Sequence, residues 1–136
     1  MPFTHNATGE WPNISWGDFM CKRGEIYYVD FGDDRTSSRQ CGFRPALIVS
    51  NDVANRHSPV ITVIPITAKA NKKRNQPTHV FLPRRGGYGL TRDSVALAEQ
   101  LFTIDKQELG RKIGEITDRR MMEQVTQALK IQIGAK

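Results

Sequence analysis

Acidic side chains are missing between Val53 and Arg92, a span that carries Arg56, Lys69, Lys72, Lys73, Arg74, Arg84, Arg85 and Arg92. An ordinary solvated surface interleaves both signs. A single-sign block of this length favours an anionic partner, either a phosphate backbone or an acidic protein segment. The net charge of +6 points the same way. Cysteine is scarce: Cys21 and Cys41 are the only two. They make no disulfide framework and lack metal-site spacing, so they read as reduced thiols in the cytoplasm. No apolar run reaches membrane-spanning length, and the N-terminus has neither a basic n-region nor an h-region. The expectation is a soluble, cytoplasmic protein that is not exported. His5, His57 and His79 are scattered, with no His-x-x-x-His pair, phosphate loop or nucleophile elbow. No metal or other cofactor is expected.

The first twenty residues differ from the rest. Met1 to Met20 contains Glu10 and Asp18 but no lysine or arginine, and reads as a loop or arm. Trp11 and Trp16 are its apolar anchors. Two glycosylation patterns, at Asn6 and Asn13, mean little without a secretory context. The expected organisation is an arm over 1–20 and one domain over 21–136, with Met20 as an alternative start.

Several short stretches read as strands by composition: Glu25 to Phe31, Pro45 to Asn51, Val60 to Thr67, Thr78 to Leu82, Ser94 to Ala98 and Leu101 to Ile104. Asn55 to Ser58 reads as a turn. Gly32 to Gly42 is a long polar loop, of a length that is uncommon unless functional. Lys69 to Gln76 reads as an exposed hairpin tip. Asp105 to Glu108 has capping-box spacing and predicts one helical turn. Lys112 to Ile116 is ambiguous. Thr117 reads as the N-cap of a helix running to about Leu129, with Met122, Val125 and Leu129 on one face. Met121 and Met122 are read as core filler. Many short strands, one amphipathic helix and connections too short for parallel crossovers predict a small, mainly β, antiparallel barrel.

Three anchors stand out in order. Gly42-x-Arg44-Pro45 opens an apolar strand, and Pro45 biases Arg44 toward extended geometry, leaving its guanidinium outside the core. Pro65-Ile66-Thr67 places a hydroxyl at the far end of another strand. Asp93-Ser94-Val95 leads toward Gln100. Together with Arg23-Gly24-Glu25-Ile26-Tyr27, Pro77-Thr78-His79-Val80, Thr103-Ile104-Asp105 and Ala128-Leu129-Lys130-Ile131, this ordered set resembles the MazF/PemK family of toxin endoribonucleases over roughly Lys22 to Gly134.

The resemblance implies an SH3-like barrel with a C-terminal helix, assembled as a homodimer. It implies metal-free cleavage of single-stranded RNA in which the RNA 2′-hydroxyl attacks the adjacent phosphorus. Arg44 and Thr67 fall on the family's catalytic residues. A guanidinium offers forked donors to phosphate oxygens, and the threonine hydroxyl can donate to phosphate or orient the 2′-hydroxyl. Arginine is a poor proton carrier, so electrostatic stabilisation is the role that its chemistry supports. The loop before Arg44 lies over RNA in the family, which makes Ser38 and Gln40 contacts. Arg39 stands where the family often has an acidic residue, and Cys41 where it often has glycine. Lys69, Lys72, Lys73 and Arg74 are assigned to the RNA backbone, and Gln100 to a base or to a hydrogen bond inside the barrel. His79 reads as structural. The expected partners are single-stranded RNA and a cognate acidic antitoxin, with no membrane. A non-enzymatic, CcdB-type gyrase inhibitor on the same barrel is the alternative, and such a binder has no need of the Arg44 and Thr67 pair.

Overall fold

Runs of β-branched and aromatic residues build the frame. The computed structural model describes residues 20–32, 42–68 and 76–136. The strands in order are β1 (Glu25–Asp30), β2 (Phe43–Ile48), β3 (Val60–Thr67), β4 (His79–Leu82), β5 (Ser94–Leu97), β6 (Phe102–Asp105) and β7 (Leu109–Glu115). Helix α1 (Asp52–His57) lies between β2 and β3, and helix α2 (Arg119–Ile133) follows β7. The pairing path is β4-β5-β3-β2-β1-β7, with β6 also on β3, and every described pair is antiparallel. The expected mainly β architecture with a C-terminal helix is therefore the one observed.

β3 is the spine. It pairs with β2 from Val63 to Pro65, with β6 from Val60 to Val63, and with β5 at Ile66 and Thr67. Ile66 faces Ala96 and Val63 faces Phe102, so three extra residues bulge out between β5 and β6. Pro65 sits where β3 changes partner from β6 to β5. Pro45 sits just past the last β2–β3 pair, Ala46 with Pro65. Prolines cannot donate to a ladder, and both occupy breaks in one.

Alternation along the strands gives the sheet two apolar faces. Ile26, Leu47, Val49, Ile64 and Ile66 join Val80, Leu82, Val125 and Ala128 beneath α2. Val29, Ala46, Ile48, Ile61 and Val63 form the second cluster, with Phe31 and Ile104. Met121, Met122 and Leu129 pack partly buried on the first cluster, as their helical spacing predicts.

Three local readings are corrected. Asn55 to Ser58 is not a simple turn: it closes α1, which starts earlier because the Asn51 side chain caps the Ala54 amide at 2.8 Å. Of the ambiguous stretch Lys112 to Ile116, all but Ile116 belongs to β7, whose glycines and basic residues have little strand propensity and are held by pairing with β1. The α2 N-cap is Asp118 and not Thr117, since its carboxylate accepts the Arg120 amide at 2.9 Å. The helix continues past Leu129 to Gly134, which closes it at φ +72°. Asp105 and Glu108 make the expected capping box around one 3-10 turn.

Candidate active site

The two predicted catalytic residues lie on the adjacent strands β2 and β3. Ala46 faces Pro65, Leu47 faces Ile64 and Ile48 faces Val63. Arg44 and Thr67 each stand two residues past the Ala46–Pro65 pair, at the same end of the β2–β3 ladder. Arg44 also lies opposite Val29 of β1, and Thr67 opposite Val95 of β5. Each residue is thus held by strand pairing rather than on a loop.

Arg44 is half-buried and lines an open groove of about 490 Å³. Tyr28, Phe43, Pro45, Ile66, Ala68, Gly89, Leu90, Thr91, Arg92, Ser94 and Ile113 complete its described lining. That lining includes two guanidinium groups and no carboxylate. Arg44 therefore lies at the mouth of its strand and outside the core, as the sequence predicts. Thr67 is buried, at 1% exposure, while its neighbours Ile66 and Ala68 face the groove.

The groove's far wall depends on glycine. Gly89 has φ +86°, and a Cβ there would lie 2.3 Å from the Ile113 carbonyl oxygen. A Cβ on Gly114 would lie 2.1 Å from the Tyr88 carbonyl oxygen. Only two residues without side chains let the segment carrying Leu90, Thr91 and Arg92 press against β7. Behind the groove, the Arg84 amide donates to Asp93 at 2.8 Å and the Ser94 hydroxyl donates to the Arg92 carbonyl at 2.8 Å. On the other side, Phe31 and Gly32 bond directly to Gly42: the Phe31 amide donates to the Gly42 carbonyl at 3.0 Å, and the Gly42 amide to the Gly32 carbonyl at 2.6 Å.

Other predicted residues fall elsewhere. Gln100 lies in the bulge beyond β5 and does not line the groove; its amide donates to the Leu97 carbonyl at 3.1 Å. His79 pairs with Glu99, its side chain only 1% exposed, which fits the structural reading. Cys21 is a buried free thiol whose pKa is pushed up by that burial. Ser38, Gln40, Cys41, Lys69, Lys72, Lys73 and Arg74 lie outside the described residues, as do Trp11 and Trp16. The aromatic surface of Tyr28 and Phe43 does not stand out in the sequence, where both read simply as strand formers. The adjacency of Phe43 to Arg44 is the one sequence signal that points to it.

A small antiparallel β domain with a groove between central strand ends, its described lining holding two arginines and no carboxylate, is the class of protein that fold and site define. The chain belongs to the PemK-like, MazF-like toxins of type II toxin–antitoxin systems, whose family model matches residues 22–133. It is 45% identical over 114 residues to Endoribonuclease EndoA of Bacillus subtilis, covering 84% of this chain and 95% of that protein. It is similar in structure to an endoribonuclease from a mycobacterial species, with a TM-score of 0.67 at 28% identity, covering 85% of this chain and 92% of the other. A mycobacterial endoribonuclease in complex with its cognate antitoxin matches with a TM-score of 0.66 at 28% identity, over 86% of this chain and 98% of the other. Nothing in these likenesses favours the gyrase-inhibitor alternative.

Proposed function

We propose that this toxin is an endoribonuclease that cuts single-stranded RNA without a metal ion. One observation carries the reading: Arg44 and Thr67 stand at the same end of the β2–β3 ladder, and the described lining of the groove at Arg44 holds two arginines and no carboxylate. In this reading the groove holds the RNA backbone. The 2′-hydroxyl at the cut site attacks the adjacent phosphorus, the P–O5′ bond breaks, and the 5′ oxygen leaves with a proton. The products are a 2′,3′-cyclic phosphate and a free 5′-hydroxyl. Arg44 neutralises charge on the non-bridging oxygens as the phosphorane forms. Thr67, held at the end of β3, aligns that phosphate or the 2′-hydroxyl by donating its O–H.

Ser38, Gln40, Lys69, Lys72, Lys73 and Arg74 extend the interface along the RNA backbone, and Gln100 meets a base where the strand continues past β5. The working form is a cytoplasmic homodimer. A cognate antitoxin inhibits it with an acidic segment that competes for the same cations, since both ligands offer negative charge to one surface.

The test is cleavage of a long RNA in EDTA, with end-group analysis, beside a substrate carrying 2′-deoxyribose at the mapped cut. Cutting of the ribose substrate alone, with cyclic phosphate ends, is expected. Cutting of the deoxy substrate, or activity only with added magnesium, overturns the mechanism. An antitoxin that binds without lowering the rate overturns the competition model.

A further inference from the structure

Beside Arg44 the groove carries aromatic surface that the cleavage chemistry leaves unused. Phe43 is 67% exposed, a large apolar ring open to solvent beside a catalytic cation. Three strands assemble its surroundings. Tyr28 of β1 faces Pro45, and Asp30 faces Phe43, so Tyr28 and Phe43 are diagonal neighbours on one face. Their ring centroids lie 5.8 Å apart, with planes tilted by 34°. Arg111 of β7 places its guanidinium carbon 5.6 Å from the Tyr28 centroid. Tyr28 and Phe43 line the same groove as Arg44 and Arg92.

A purely apolar occupant would leave these guanidinium groups facing it, and a bare anion would leave the exposed ring in water. A ligand with a flat π face and a phosphate attached matches both features. Unpaired nucleobases are bound by stacking on aromatic rings and arginine planes, beside cations that hold the backbone. We propose that Phe43, backed by Tyr28 and flanked by Arg111, is a stacking platform for one unpaired base of the RNA next to the cut phosphate. The proposal rests on the endoribonuclease reading and adds a subsite to it. Stacking reads ring area rather than hydrogen-bond pattern, so the platform fixes the position of the strand more than its sequence.

The experiment uses the full chain and an RNA bearing 2′-deoxyribose at the cut site mapped with the wild type. Binding is read by fluorescence anisotropy on the intact RNA and on a series with one abasic nucleotide at each position. Phe43→Ala is expected to weaken binding of the intact RNA by about 5- to 150-fold. In the wild type, one abasic position beside the cut produces a similar loss; in Phe43→Ala that same position costs little more. Phe43→Trp retains affinity, whereas Phe43→Leu keeps the bulk without the ring and loses it. Unchanged binding by Phe43→Ala, or equal losses at every abasic position in both proteins, overturns the platform. A changed molecular mass of Phe43→Ala in solution also overturns it, because Phe43 is then an interface between copies of the chain. A wild type that cuts RNA while Phe43→Ala behaves normally removes the platform alone. A wild type that neither binds nor cuts RNA removes the endoribonuclease reading with it.

Discussion

The two ends of β1 are built to opposite electrostatic rules. At its start, charges are matched inside the fold. Glu25 is nearly buried; it accepts the Lys22 amide at 2.6 Å and the Tyr27 hydroxyl at 3.1 Å, and it pairs with the Lys112 ammonium at 2.7 Å. Nearby, Asp52 accepts the Arg23 amide at 2.8 Å, and the Arg23 guanidinium bonds the Val49 carbonyl and Thr126. The Glu25 hydrogen bond raises the Lys112 pKa, as expected for an ammonium with a carboxylate partner. At the other end, β1 runs into the groove, where the described lining offers Arg44 and Arg92 and no carboxylate. One end satisfies its charges at home, and the other holds cations toward an opening. The proposed active site lies at the second end, a distinction that composition, with its plain excess of positive charge, does not show.

The comparison breaks most sharply at Arg44. Arg44→Ala is expected to lower the cleavage rate by about 10²- to 10³-fold, the scale of one missing transition-state donor, with the thermal transition unchanged. Arg44→Lys restores only part of this, because an ammonium lacks the fork. Rates and melting curves measured on the same preparations check both statements.

Two substitutions then separate scaffold from site. Gly114→Ala drives a methyl group into the Tyr88 carbonyl and is expected to cost roughly 1–3 kcal/mol of stability, read by urea denaturation. Glu25→Ala removes the acceptor of an amide and a hydroxyl and the partner of Lys112, and should cost about 1–3 kcal/mol. Cleavage per folded Glu25→Ala molecule should stay at the wild-type level. A selective loss of rate there would erase the distinction between the two ends.

Smaller effects sharpen the picture. Arg92→Ala should weaken RNA binding several-fold and reduce the salt slope by about 0.7 for each phosphate that Arg92 neutralises. A salt titration of the dissociation constant measures this. Tyr27→Phe addresses the matched end. Burial, followed by the charge and hydrogen bond of Glu25, raises the Tyr27 pKa, so the folded protein keeps a proton that the unfolded chain releases above about pH 10. Stability is therefore full below that pH and falls as pH rises through it, with buried Cys21 adding a loss of the same sign. Tyr27→Phe should flatten the alkaline fall when melting is followed between pH 8 and 11.

Much of this was legible in the sequence, for identifiable reasons. β3 and β1 are dense in β-branched and aromatic residues, so composition alone marks them. The capping box at Asp105 and the spacing of Met122, Val125 and Leu129 are local patterns, and both form. Arg44 and Thr67 were legible as individual motif residues, but their place at the same end of one ladder was not. It depends on a register set by Ala46 and Pro65, nineteen positions apart in the chain. α1 was missed because its helical signal is confined to the Asn51 cap and six residues. β7 was ambiguous because Gly110, Arg111, Lys112 and Gly114 have poor strand propensity, and its existence depends on β1 beside it. The Tyr28, Phe43 and Arg111 cluster was invisible for the same reason: three strands must pair before the three side chains meet.

The central claim is that Arg44 and Thr67 act together on one phosphate, and a double-mutant cycle tests it most directly. Single-turnover cleavage rates are measured for the wild type, Arg44→Ala, Thr67→Ala and the double variant, all verified as folded. Residues acting as one unit show strongly non-additive losses. The double variant should therefore be about as slow as the slower single variant. Losses that multiply in full would mean that the two residues work independently, and the shared-phosphate account would be wrong.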